Sequence, residues 1–138
     1  MDQDYQVLFE SNPHPMWVYD LASLAFLAVN AAAGAHYGYS REEYLAMTIR
    51  DIRPPEDGPA LEQNLASAPH GFEAAGSWRH RKKNGEIIDV EITSHTLEFD
   101  GRRAKLVLAV DVTERKRAER VRGDFNLNDF AILFPMPP

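Results

Sequence analysis

The side chains of this chain that could do chemistry are spread out. Five histidines, His14, His36, His70, His80 and His95, are the candidates for metal ligation or proton transfer. No two of them stand at a ligand spacing such as four apart on a helix. There is no cysteine, which removes disulfides, thiolate metal sites and cysteine nucleophiles together. No metal site is therefore expected. A glycine-rich phosphate loop and a glycine-framed serine are both missing, and the carboxylates are scattered as on a solvated surface. The chain itself is expected to be non-catalytic.

Two basic runs, Arg79-His80-Arg81-Lys82-Lys83 and Arg115 to Arg122, raise nucleic-acid binding as a possibility. Alternation along a strand turns the arginines of the first run outward and sets Arg79 against Asp89, while Glu114 just before the second run and Glu119 inside it intersperse it with acid. With a formal net charge of −6, no nucleic-acid partner is expected. No apolar run approaches the ~18 residues that span a bilayer, and no signal peptide opens the chain. The reading is of a cytoplasmic protein without direct membrane contact. Its 138 residues suit one domain with a substantial core.

Elements that could position these residues follow from periodicity and punctuation. Residues 1–15 form an amphipathic lead-in helix with Tyr5, Leu8 and Phe9 on one face, ended by Asn12-Pro13-His14-Pro15. Met16 to Asp20 and Ala25 to Val29 read as a hairpin. Ala31 to His36 is helical by propensity, and Ser40-Arg41-Glu42-Glu43 has the spacing of a capping box. Thr48 to Ile52 is one turn, and Pro59 to Ser67 a longer helix closed by Pro69 and Gly71. Asn84-Gly85 and Asp100-Gly101 then mark two hairpins joining three strands. If each loop has three residues, Trp78, His80, Ser94 and Thr96 share one inner face with Leu106, Leu108 and Val110. Ile87, Leu97, Val107, Lys105 and Asp111 then fall on the outer face. A two-residue second loop would set Val90 against Asp111 and Ile92 against Ala109, which buries less apolar surface and is disfavoured on that ground.

The last strand passes without a turn signal into a charged helix, through Val110-Asp111-Val112-Thr113-Glu114-Arg115-Lys116. Together with Asn30, Tyr37-Gly38-Tyr39-Ser40-Arg41-Glu42-Glu43-Tyr44-Leu45 and Pro54-Pro55-Glu56-Asp57, this stretch resembles the PAS family of sensory domains over residues 5 to 122. The resemblance implies an α+β fold, a five-stranded antiparallel sheet with short helices on one face. It implies a sensory core over residues 16–113, an exit helix starting over 114–122, and a parent protein that is a sensor histidine kinase. A cyclic-di-nucleotide synthase or phosphodiesterase is the alternative parent, and a ligand-free dimerisation module the alternative role. Residues 123–138 depart from the family pattern: Gly123-Asp124 is expected to break the helix before an apolar tail with Phe130 to Phe134.

Within that frame, Trp78, His80, Ser94 and Thr96 could line a ligand pocket, with Asn30 at the strand-to-helix junction. Each has a plainer role: Trp78 packs, His80 satisfies a backbone group, and Asn30 caps the helix at Ala31. Asp111, Thr113, Glu114 and Arg115 are the expected signal relay. Tyr5, Leu8, Phe9, Ile87, Leu97 and Val107 are the expected interface of a homodimer. Without cysteine, the flavin adduct of the family's photosensors cannot form. Haem is disfavoured because Pro59 to Ser67 carries no histidine, His70 lying just beyond it, and noncovalent flavin is disfavoured as well.

Overall fold

A computed structural model of the protein describes residues 3–60 and 72–124. Helix α1 (Gln3–Ser11) stops where Pro13 excludes a further turn. Strands β1 (Met16–Asp20) and β2 (Phe26–Val29) form the first hairpin. Helices α2 (Ala31–Tyr37) and α3 (Arg41–Leu45) follow, the first ended by Gly38 at φ 92°, a left-handed conformation that glycine adopts without steric cost. Ser40 and Glu43 make the full reciprocal capping box on α3. Two 3-10 turns, Ile49–Ile52 and Pro55–Asp57, lead on, and residues 58–60 are again helical. The expected helix Pro59 to Ser67 lies mostly outside the described residues, as do His70 and the tail from Phe125. Strands β3 (Phe72–Arg81), β4 (Ile87–Phe99) and β5 (Arg102–Asp111) precede the exit helix α4 (Thr113–Asp124). Gly123 does not break α4, which begins two residues before Arg115.

The five strands form one antiparallel sheet in the order β2-β1-β5-β4-β3. Its inner face carries α2, α3 and the 3-10 turns over an aromatic core. Trp17 meets Phe26 and Tyr37 edge to face at centroid distances of 5.9 and 5.7 Å, the arrangement that ring quadrupoles favour. Tyr44, Ile52, Ile88 and Val90 complete a region from which water is excluded. Helix α1 lies on the other face, where Phe9 packs with Val18, Ala28 and Ala104.

The β3–β4 register is the expected one, with Trp78 opposite Val90 and His80 opposite Ile88. The β4–β5 register differs by one residue. Phe99 pairs with Arg102, so the loop is the two residues Asp100 and Gly101, at φ 50° and 78°. Both conformations are left-handed, as a type I′ turn demands and Asp-Gly supplies. Turn chemistry therefore overrides the burial argument. Burial does not discriminate between the registers because β5 is the middle strand, apolar on both faces: Val107 and Ala109 enter the inner core, while Leu106 packs in the cluster around Phe9. Val107, Lys105 and Asp111 consequently belong to the inner side, not the outer one. Val107 is 4% exposed and is removed from any outer-face interface.

Candidate functional site

Two polar clusters adjoin the inner face. The first is at the strand-to-helix junction. Thr113 Oγ1 accepts the backbone N–H of Asp89 at 2.9 Å and donates to Asp111 Oδ1 at 2.6 Å. The same carboxylate oxygen accepts the backbone N–H of Thr113 at 2.9 Å. Asp111 Oδ2 meets His36 Nε2 at 2.7 Å, a contact between β5 and α2 across 75 positions of sequence. The backbone N–H of Val112 bonds to the carbonyl of Asp89 at 2.8 Å, and that of Lys116 to the carbonyl of Val112 at 2.8 Å. Asp111 thus tethers the beginning of α4, Thr113 pins it to β4, and His36 ties the assembly to α2. Burial pushes the Asp111 carboxyl up, but the hydrogen bonds from Thr113 and His36 outweigh it and hold the group below the usual carboxylate range. Farther out, Arg115 pairs with Glu91, and Glu114 with Arg117 at 2.7 Å. These exposed pairs contribute ~0–1 kcal/mol each.

The second cluster surrounds a void of about 20 Å³ between the sheet and the Ile49–Ile52 turn. Trp17, Ile49, Ile52, Trp78, Ile92 and Val107 supply most of its apolar wall, and Tyr19, Arg53, Ser94 and Lys105 its polar groups. The guanidinium of Arg53 lies over the Trp78 ring, 4.5 Å from its centroid. Burial pulls the Arg53 pKa down to about 10. Its Nε and Nη1 are buried without a hydrogen-bond acceptor, and the Ser94 hydroxyl is buried without a partner. Nearby, the Tyr37 hydroxyl stands 2.6 Å from His80 Nδ1, while His80 Nε2 has no partner. Burial, and then the charge of Arg53, holds the His80 pKa well below its usual value, so the ring is neutral.

The residues singled out from the sequence divide accordingly. Trp78 and Ser94 line the void. His80 is fully buried between Tyr37 and Trp17, beside the void and not on its wall. Thr96 pairs with Lys105 one step along the sheet. Asn30 is elsewhere: its Oδ1 accepts the N–H groups of Met16 and Ala33 at 3.0 Å each, and its Nδ2 donates to the carbonyls of Phe9 and His14 at 3.0 Å each. It caps α2 and fastens α1 to the sheet. Arg79 pairs in register with Asp89, yet its guanidinium forks onto Asp57 at 2.7 and 3.1 Å. Arg53, Lys105 and the His36–Asp111 contact were not singled out. Nothing in local periodicity marks a buried arginine, although its seat between Ile52 and Pro54 is a faint sign.

The family model of the PAS fold matches residues 10–117. The chain belongs to the PAS family. The PAS domain of a protein from Colwellia psychrerythraea superimposes with a TM-score of 0.72 at 21% identity, covering 81% of this chain and 97% of that one. A domain of the sensory box sensor histidine kinase/response regulator from Geobacter sulfurreducens gives a TM-score of 0.64 at 27% identity, covering 78% and 91%. Among curated proteins, the methyl sulfide methyltransferase-associated sensor of Methanosarcina acetivorans is 25% identical over 119 residues. That alignment takes in 83% of this chain and only 12% of the relative's length. PAS domains are sensory modules of signalling proteins, sensor histidine kinases among them. No helix among the described residues is long and apolar enough to cross a membrane.

Proposed function

We propose that this PAS domain is the sensing element of a larger signalling protein, a sensor histidine kinase in the first instance. In this reading a small ligand enters beside Trp78 and Ser94, and the change is passed to an output domain through α4. The observation that carries it is the junction: Asp111 and Thr113 bind the first turn of α4 both to β4 and, through His36, to a helix of the ligand-facing side. A shift of the sheet against α2 therefore cannot leave α4 where it was. Two discrete states with different ligand affinity would be required, as in any such coupling. Catalysis belongs to the output domain, and the sensing chemistry involves no cysteine adduct.

The test is Asp111→Ala in the full-length parent, with autophosphorylation measured with and without stimulus. The expected outcome is altered basal or stimulated output while the isolated domain still melts cooperatively. Unchanged output would remove the junction from the mechanism.

A homodimer is the second part of the proposal. Phe9 already covers part of the outer face within one chain, whereas Val7 and Leu8 are 59% and 65% exposed. Between α1 and the sheet runs an apolar groove of about 600 Å³, lined by Leu8, Met16, Leu97, Phe99 and Leu106 among others. An open apolar patch of this kind is what a second copy would cover. Ile87, 39% exposed, stands near the start of β4, and the Tyr5 side chain lies outside the described residues. Light scattering should give a dimer that Leu8→Asp dissociates, and a monomer at all micromolar concentrations would refute it.

A further inference from the structure

The void beneath Trp78 has the chemistry of an anion seat. Its wall holds two cations, Arg53 and Lys105, and no carboxylate among the described residues. Asp57, the acid whose charge acts on Arg53, is already gripped by both prongs of Arg79. A guanidinium whose buried Nε and Nη1 N–H groups meet no acceptor, beside a hydroxyl in the same condition, is costly to keep. An acceptor arriving from outside would satisfy both.

Geometry narrows the ligand further. Stacking on Trp78 occupies a face of the guanidinium and leaves its N–H groups, which lie in the plane, free to donate. The void admits about one water-sized oxygen, so only a compact head can enter. Arg53 and Trp78 are the half-buried residues at its rim, and the rest of a ligand must leave past them. Inorganic sulfate or phosphate presents oxygens on all sides, whereas Ile52, Ile92 and Val107 offer it no donors. A carboxylate on an apolar or aromatic stem matches both halves of the wall.

We propose that this void receives one oxygen of the carboxylate head of a small organic acid, the rest of the head lying against Arg53 and Trp78 at the rim, with Arg53 as the principal donor and Ser94 as the second. The inference rests on the sensory reading above and names the ligand class for it. The seat is a binding site, and no bond is made or broken there.

The experiment uses the full chain at constant ionic strength set with sodium chloride. Acetate and benzoate are titrated against acetamide, benzamide and sulfate, following tryptophan fluorescence and the Arg Nε–Hε resonances. Saturable binding of a carboxylate is expected, about tenfold or more tighter than its amide. Arg53→Met should abolish that preference and, without ligand, melt no lower than the parent chain. Ser94→Ala should weaken carboxylate binding several-fold with the fold intact. Equal binding of acid and amide would overturn the anion seat while leaving a ligand pocket in place. Binding of none of these probes would overturn the seat and count against ligand sensing as well. Sulfate binding more tightly than either acid would overturn the organic stem, and an Arg53→Met chain that melts several degrees lower would make Arg53 a structural residue.

Discussion

The junction and the pocket are both polar clusters beside the same inner face, yet they treat their polar atoms in opposite ways. At the junction the Asp111 carboxylate, the Thr113 hydroxyl and the Asp89 amide are all partnered. In the pocket, N–H groups of Arg53 and the Ser94 hydroxyl are buried without partners. Satisfied networks hold a unique arrangement, and half-satisfied ones cost stability. The junction groups help hold the fold, and the pocket groups are those the proposed ligand would satisfy. Removing a group from a satisfied cluster should therefore destabilise, and removing one from the pocket should not.

The largest effect is expected at Asn30, whose side chain is the most heavily partnered among the described residues. Asn30→Ala strips two donors and two acceptors of their partners in a buried site, and should cost about 3 kcal/mol. Chemical denaturation would register it as a lower midpoint with an unchanged slope. Loss of less than ~1 kcal/mol would mean that water replaces the amide.

Next comes Thr113→Val, isosteric but without the hydroxyl. It orphans the Asp89 amide and removes one bond from Asp111, for an expected ~1–2 kcal/mol. An equal stability for the two chains would dissolve the contrast between junction and pocket.

The pH dependence of stability sharpens it. Asp111 has a depressed folded-state pKa, so its contribution is present above the ordinary carboxylate pKa of ~3.9 and is lost as pH falls through the folded value. Denaturation midpoints from neutral pH downward should therefore fall more steeply for the parent chain than for Asp111→Asn. Parallel curves would show that the carboxylate contributes nothing as an anion.

The smallest effect is expected in the pocket. Ser94→Ala removes a buried hydroxyl that bonds to nothing, and should leave the melting temperature unchanged or slightly raised. A clear drop would reveal a partner for that hydroxyl.

Much of this arrangement was legible in the sequence, and the exceptions have physical causes. Ser40-Arg41-Glu42-Glu43 and Asn84-Gly85 act through local rules, so their roles read directly from spacing, whereas the Asp111–Thr113 stretch was marked only by its resemblance to the family. The β4–β5 register was misread because Leu106 and Val107 are both apolar and both sides of β5 are covered. Only the left-handed demand at Asp100 and Gly101 discriminated between the alternatives. Asp111 was marked as a relay residue but assigned to the wrong face, and His36 could not be named as its partner from so far along the chain. Arg53 was invisible for a different reason. An arginine in a polar turn is ordinarily solvated, and only the tertiary fold lays it on Trp78.

Amide hydrogen exchange on the parent chain and on Asp111→Ala tests most directly whether the junction fastens the exit helix to the sheet. The account predicts that protection falls at Thr113 and Lys116, whose N–H groups belong to the tethered first turn, while Val90 and Ile92 in β4 keep theirs. Equal protection at Thr113 and Lys116 in both chains, or a uniform loss extending through β4, would contradict it.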